Sequence, residues 1–532
     1  MWTRKDKFAL AALAMLVLVS LPFLVHPWFD VVNDAGTYII TARSIAAGDG
    51  YSYLGHVFHL RPPGFSYLLA PLVALFEIDF PILNLFVSLF GAAGVLLLFC
   101  HQRVSLGGPL AALVSLTLWL NPGYQRLCTQ VMSDVPGITL LIACLLVDRW
   151  AGRAPSWKRE IALGAVTGLA IYVRSLNALL IPAILVSRLW QRATRRSDER
   201  LAWGAFGFKR LLCFSMIACA TLLPWNFYKL GRIAPPPADQ TWAYDYPTGM
   251  LHRDPGDPSS PRLELREILD RGEIRFLQIA SVLGSRMQTL AFANRRPLDE
   301  RPVLHTALTL VLLVAVGFAV LRRRDPASLF CVANLIVIAL YFGFRERLLL
   351  PVFVLALPIA VGVTRQGLRR LVAGRAAGVL LLLPLFLLLL VDFRPRNGWA
   401  AIEKQHRAYR DQLGAVAASL APDSRVGTFS EHNTYSVYLG RPVACFQYAM
   451  LRAGNLGVIE EIIDRYALDT IVLGIHPEGT GPGSRRDPGV ERYLREHYGP
   501  GSRSGPATIW RVRPAPSGRP SDVGQNGRSI TR

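Results

Sequence analysis

Charge is scarce in this sequence. Asp, Glu, Lys and Arg make up 18% of its 532 residues, against about 25% in ordinary soluble proteins. Hydrophobic residues are 52% and mean hydropathy is +0.32. Runs of roughly 18 or more apolar residues, enough for a helix to cross a bilayer, recur along the chain. A soluble globular class is thereby excluded. Several motifs are also missing. No G-x-x-x-x-G-K-[ST] loop occurs, so nucleotide-driven chemistry is not expected of this chain. Neither H-E-x-x-H nor G-x-S-x-G occurs, which removes the common zinc-protease and serine-hydrolase readings. The 7 cysteines include no C-x-x-C pair and fall mostly in or beside apolar runs, so they read as small buried hydrophobes. No A-x-A-like site precedes His26-Pro27-Trp28, and the run Phe8–Val25 is too long for a signal-peptide core. It reads as an uncleaved first spanning helix.

What the chain has in excess is positive charge, with a net +21. Nucleic acid would suit that balance. The distribution suits a membrane better, because Lys and Arg crowd short loops on alternate sides of the apolar runs. Expected spans cover about residues 8–27, 81–100, 108–123, 134–147, a pair of short helices within 160–190, 211–228, 304–321, 328–343, 348–363 and 376–392. That makes about eleven, with the N-terminus cytoplasmic and the C-terminus outside. The loop 188–210, with seven Arg or Lys residues, is then cytoplasmic. Residues 28–80 and 229–303 form external segments. Within the first, 35–47 and 64–77 have helical spacing and are expected to lie in the membrane interface.

Composition turns soluble from about 395. Short strands at Val426–Phe429, Val443–Phe446, Thr470–Gly474 and Ala507–Val512 alternate with helical stretches. This pattern predicts a small extracytoplasmic α/β domain with parallel pairing over 395–513. The Gly/Pro-rich 476–489 reads as a loop and 514–532 as a disordered tail.

The segment Asp30 to Gly64 concentrates the polar chemistry. Asp34 and Tyr38 share a helical face. Asp34 can serve as a general base or simply cap the helix that follows, and both readings are open. The same holds for Asp134, at the outer start of a span. Arg61, Arg174, Arg345 and Arg347 lie on the predicted outer edge. Their planar forks suit an anionic headgroup, whether a substrate's or that of ordinary phospholipid. The residues allow a divalent metal between Asp34 and Asp134, but no spacing demands one. A transporter or lipid flippase is the rival class. It would need polar residues at mid-helix depth, whereas these acids and arginines sit at the outer ends.

In order along the chain stand Asp34-x-x-x-Tyr38-x-x-x-Ala42, Gly48-x-Gly50-Tyr51, Arg61-Pro62-Pro63-Gly64, Ser133-Asp134-x-Pro136, Gly168-Leu169-Ala170 before Arg174, Leu223-Pro224-Trp225 with Gly231, and Arg345-x-Arg347-x-Leu349-x-Pro351. This series resembles the GT-C fold glycosyltransferases, in particular bacterial relatives of dolichyl-phosphate-mannose–protein mannosyltransferases and aminoarabinose transferases. The likeness covers about 30–365. It implies a polytopic α-helical bundle that moves a hexosyl or pentosyl group from a polyprenyl-phosphate carrier to a lipid, polysaccharide or protein acceptor outside the cytoplasm. By the same resemblance Asp34 is the catalytic base and Asp134 a second acid. Arg61 binds the carrier phosphate, with Tyr38, Arg174, Arg345 and Arg347 at the same site. This chain has Asn33-Asp34-Ala35 where many relatives have Asp-Glu, leaving one carboxylate at that point.

Overall fold

The structure, a computed structural model, describes residues 2–30, 33–58, 61–153, 156–194, 197–232, 250–253, 260–287, 302–341, 346–371, 397–429, 432–446, 456–474, 488–504 and 507–512. The expected span 376–392, parts of the external segment 229–303, most of the loop 476–489, the tail 514–532 and Arg345 lie outside these residues. The chain divides into two compact units, Met1–His406 and Arg407–Arg532.

The first unit is helical. Among its described residues, Arg4–Leu24, Phe80–Leu106, Asp134–Arg153, Gly207–Phe227 and Arg347–Arg370 are long and apolar enough to cross a membrane. Gly64–Phe76, Gly108–Leu120, Thr306–Arg322 and Pro326–Leu340 are shorter apolar helices. The protein is a multi-pass membrane protein of α-helical type. In chain order the elements that build the site are α1 (Arg4–Leu24), α2 (Asn33–Ala46), the strands β1 (Ser52–Tyr53) and β2 (His56–Val57), α3 (Gly64–Phe76), α4 (Phe80–Leu106), α5 (Gly108–Leu120), α6 (Pro122–Cys128), α7 (Asp134–Arg153), α8 (Trp157–Val173), α9 (Leu180–Ala193) and α10 (Ser197–Arg232).

Local chemistry explains where these helices begin. Thr3 and Asp6 form a reciprocal capping box at the start of α1. Asp79 caps α4 through the Ile82 amide, with Pro81 in the first turn. Asn121-Pro122 does not only close α5. The Asn121 side chain accepts from the Tyr124 amide and starts the short helix α6, between the expected spans 108–123 and 134–147. Packing within the bundle relies on small residues where water-driven burial is absent. A Cβ on Gly164 would sit 2.8 Å from the Phe214 carbonyl oxygen, and one on Gly168 would sit 2.4 Å from the Thr221 Cβ. The Gly164-x-x-x-Gly168 face of α8 thus lets α10 approach to backbone contact.

α2 departs from the expectation that it lies in the membrane interface. Ala35, Ile39, Ile40 and Ala42 are all essentially inaccessible, and Tyr38 nearly so. The protein covers both faces of α2, and the Thr41 hydroxyl meets that of Ser66 on α3 at 2.8 Å. α3 keeps an exposed apolar face through Tyr67, Leu68, Leu75 and Phe76.

The second unit holds a five-stranded sheet, ordered β4-β3-β5-β7-β6. Its strands are β3 (Val426–Thr428), β4 (Val443–Cys445), β5 (Thr470–Leu473), β6 (Ser502–Ser504) and β7 (Ala507–Arg511). β3 pairs parallel with β4 and β5, as expected. β7 runs antiparallel to β5, which corrects the all-parallel expectation. The cause is β6, a polar strand with no apolar alternation. The crossover helix Pro488–Tyr498 leads into β6, and a hairpin then returns β7 into the slot beside β5. Ile459, Ile462, Ile463 and Tyr466, at helical spacing, bury one face of the helix Val458–Tyr466.

Candidate active site

Five separated segments of the first unit bring their polar residues together at one end of the bundle. Asp34 is the second residue of α2. One of its oxygens accepts from an Arg61 guanidinium nitrogen at 2.6 Å, and the other accepts from Arg347. Arg61 precedes α3. Arg347 lies in the 3-10 turn Glu346–Leu349, just before the helix Leu350–Leu371. The Asp34 side chain is 23% exposed, with Arg61 at 16% and Arg347 at 23%. Burial opposes the charged form of Asp34, but the charges of Arg61 and Arg347 and their hydrogen bonds outweigh it. They hold this carboxyl well below the usual carboxylate range.

A second pair lies beside the first. Asp134 opens α7 and is 2% exposed. It meets Arg174, which follows α8, at 2.9 Å. The Arg174 side chain reaches it by crossing Gly137, where a Cβ would fall 2.7 Å from the Arg174 Cδ. The two pairs are linked. The Tyr38 and Ser133 hydroxyls lie 2.9 Å apart, and Arg347 donates to the Met132 sulfur at 3.1 Å. Arg347 is also close enough to Asp134 for the two charges to attract. Arg61 lies over the Tyr38 ring, 5.2 Å from its centroid. Tyr38, Asp34, Arg61, Asp134, Arg174 and Arg347 therefore form one cluster. Arg345 falls outside the described residues.

Gly48, Gly50, Tyr51, Gly64 and Trp225 of the motifs shape the loop that carries Arg61. Gly48 and Gly50 have φ of 86° and 75°, a turn that side chains disfavour. The turn places Tyr51 beneath the loop, where its hydroxyl donates to the Arg61 carbonyl at 3.2 Å. Trp225, from the Leu223-Pro224-Trp225 motif, packs edge-on to Tyr51 with centroids 5.6 Å apart. The Trp225 amide donates to the Tyr172 hydroxyl at 3.0 Å. At the other end of the loop a Cβ on Gly64 would lie 2.6 Å from the Tyr172 backbone. Two short motifs more than a hundred residues apart thus meet beneath the loop that carries Arg61.

Asp30 has a different partner. It is 2% exposed. Arg126 on α6 holds it through two guanidinium nitrogens, Nε at 2.9 Å and Nη2 at 3.1 Å, and the Gln130 amide also donates to it. Arg126 and Gln130 are not among the residues expected from the sequence at this site. The available signal was Asn121-Pro122, an N-cap followed by a first-turn proline, which announces the helix that carries Arg126. Asp49 is exposed in the turn after α2.

The donor set does not suit a metal ion in this arrangement. Each Asp34 oxygen is engaged by a guanidinium. Among the described residues no group of three or more His, Cys, Asp or Glu side chains converges. What the cluster offers is a carboxylate held between two arginines, with a second carboxylate–arginine pair adjoining it.

This helical architecture is the GT-C fold. Residues 60–222 match the family model described as Dolichyl-phosphate-mannose-protein mannosyltransferase. Among solved structures, ArnT from Cupriavidus metallidurans bound to undecaprenyl phosphate is similar with a TM-score of 0.63. The identity is 14%, over 94% of this chain and 98% of that one. The archaeal oligosaccharyltransferase AglB from Archaeoglobus fulgidus, in complex with an inhibitory peptide and a dolichol-phosphate, is similar with a TM-score of 0.51. The identity there is 13%, over 89% of this chain and 70% of that one. No curated protein sequence matches significantly. At these identities the likeness is one of fold, and it bears out the resemblance first read from the ordered motifs.

Proposed function

We propose that this protein is a membrane glycosyltransferase. It takes a sugar from a polyprenyl-phosphate carrier and transfers it to a hydroxyl-bearing acceptor on the extracytoplasmic side. The observation that carries this reading is the Asp34 carboxylate shared between Arg61 and Arg347. A carboxylate so neutralised is a poor base. The carrier phosphate is the ligand that changes this, because guanidinium forks bind phosphate oxygens at least as well as a carboxylate. When Arg61 and Arg347 turn to the phosphate, Asp34 loses its two cations and its basicity rises.

Transfer is then a single displacement at the sugar's anomeric carbon. The acceptor O–H gives its proton to Asp34, and its oxygen bonds to the anomeric carbon. The bond from that carbon to the phosphate oxygen breaks, and the electron pair leaves with polyprenyl phosphate. Arg61 and Arg347 stabilise the charge that develops on the leaving phosphate. Arg174 holds Asp134 at the rim of the same cluster, and Tyr38 orients Arg61. The orientation with the N-terminus cytoplasmic follows the Arg and Lys distribution along the chain. The sugar can be a hexose or a pentose, and the acceptor a lipid, a glycan or a protein.

The test uses the purified protein in proteoliposomes, given radiolabelled polyprenyl-phosphate hexose or aminopentose with candidate acceptors. Wild type releases the label from the carrier, and Asp34→Asn does so about 10²–10⁴-fold more slowly. Carrier movement across the bilayer without sugar release would replace this reading with that of a transporter.

A further inference from the structure

We propose that the end of the bundle remote from Asp34 holds a second site, which binds a phosphate group carrying two or more negative charges. α7 begins at Asp134, in the cluster just described, and carries Asp148, Arg149 and Arg153 in its last two turns. At 1.5 Å per residue, Asp134 and Asp148 are separated by about 21 Å along the helix. Around that far end lies a cavity of roughly 520 Å³, walled by the ends of α4 and α7, by α9, by Arg210 of α10 and by the turn at Arg323–Asp325. This volume is in the range of small-ligand and headgroup pockets.

Its wall has a surplus of positive charge. Arg149, Arg153, Arg192, Arg210 and Arg323 line it together with Arg188. The carboxylates in the wall are Asp148, Glu160 and Asp325. Arg188 takes two of these, meeting Asp148 and Glu160 at 2.8 Å each. The third, Asp325, accepts from the Ser328 amide at 2.9 Å as the cap of the helix Pro326–Leu340 and lies close enough to Arg149 for the two charges to attract. Arg149 and Arg153 lie close enough for their like charges to repel, and in a partly buried space that repulsion is stronger than in open water. A multiply charged anion relieves that repulsion. Planar guanidiniums approaching from several helices match the oxygens of a phosphate, a diphosphate or a phospholipid headgroup. The site is unrelated to sugar transfer and stands if the proposed activity fails.

Two probes distinguish the sources of the phosphate. Inorganic pyrophosphate is titrated calorimetrically into the detergent-solubilised protein. Separately, the protein is placed in phosphatidylcholine nanodiscs with or without cardiolipin, and retained lipid is read by native mass spectrometry. Wild type is expected to bind at least one probe. Arg153→Gln with Arg323→Gln is expected to weaken it about tenfold or more, while Arg61→Gln, at the opposite end, retains it. Pyrophosphate binding alone assigns a soluble phosphate compound, and cardiolipin binding alone a lipid headgroup. Binding of both, in competition, assigns one site open to either. If the paired variant melts at a lower temperature than wild type, Arg153→Gln alone carries the test, since Arg153 is exposed at the last residue of α7. The proposal is overturned if wild type binds neither probe, if the tested variant binds as tightly as wild type, or if Arg61→Gln abolishes binding.

Discussion

Asp34→Asn is expected to move affinity and turnover in opposite directions. Both Asp34 oxygens accept guanidinium hydrogens, from Arg61 at 2.6 Å and from Arg347. A carrier phosphate must compete with that carboxylate for the same donors. A hydrogen bond to a charged group is worth about 1.5–3 kcal/mol net. The three side chains are each partly exposed, so screening by water keeps the value near the low end. Releasing one such bond corresponds to about tenfold in affinity. An asparagine amide is neutral and holds the arginines less firmly. The variant should therefore bind polyprenyl phosphate about tenfold more tightly than wild type. Its transfer rate should fall by about 10²–10⁴, the usual contribution of a general base. Competition against a fluorescent polyprenyl phosphate in detergent reads the first quantity, and release of labelled sugar reads the second. Equal or weaker carrier binding by Asp34→Asn would refute the reasoning, because it would mean that Asp34 does not hold the arginines back from the phosphate.

Gly64→Ala forces a methyl group against the Tyr172 backbone. It should cost about 1–3 kcal/mol as overpacking, read as a lower melting temperature, with reduced transfer because Arg61 shifts. Asp30→Ala strips Arg126 of its buried carboxylate. A broken buried pair costs about 3–5 kcal/mol, but Arg126 is 40% exposed, so about 1–2 kcal/mol is expected after screening, measured by thermal denaturation in detergent. The Asp34 ion pair also has a pH signature. Its folded pKa is depressed, so its contribution is full above the ordinary carboxylate value of about 3.9 and is lost only as pH falls through the folded value. The melting-temperature gap between wild type and Asp34→Asn should stay flat from neutral pH down to about 4 and narrow only below that. A gap that closes between neutrality and that point would contradict the depressed value.

The membrane class and most element positions were legible in the chain alone, because a bilayer imposes rules that read locally. Apolar runs, caps and the alternation of basic loops need no knowledge of distant residues. The helix Val458–Tyr466 and the parallel strands of the second unit were legible for the same reason, since their side-chain periods are local. Other features depended on partners far along the chain. α2 has the spacing of an interfacial helix, yet protein covers both of its faces, and that coverage comes from residues brought over it by the fold. β7 was placed as a strand, but its direction depended on a short polar strand with no apolar alternation to reveal it.

The candidate site divides in the same way. Residue types and motif order marked Asp34, Tyr38, Arg61, Asp134, Arg174 and Arg347, because acids and arginines at the ends of membrane helices are few and conspicuous. Only the tertiary structure decided the pairings: Asp34 with both Arg61 and Arg347, Asp134 with Arg174, and Asp30 with Arg126. A carboxylate at a helix start looks the same in sequence whether it caps its own helix or meets a guanidinium from elsewhere. The difference lies in contacts across as many as 313 residues of chain, which arise when the helices pack and not from the local pattern.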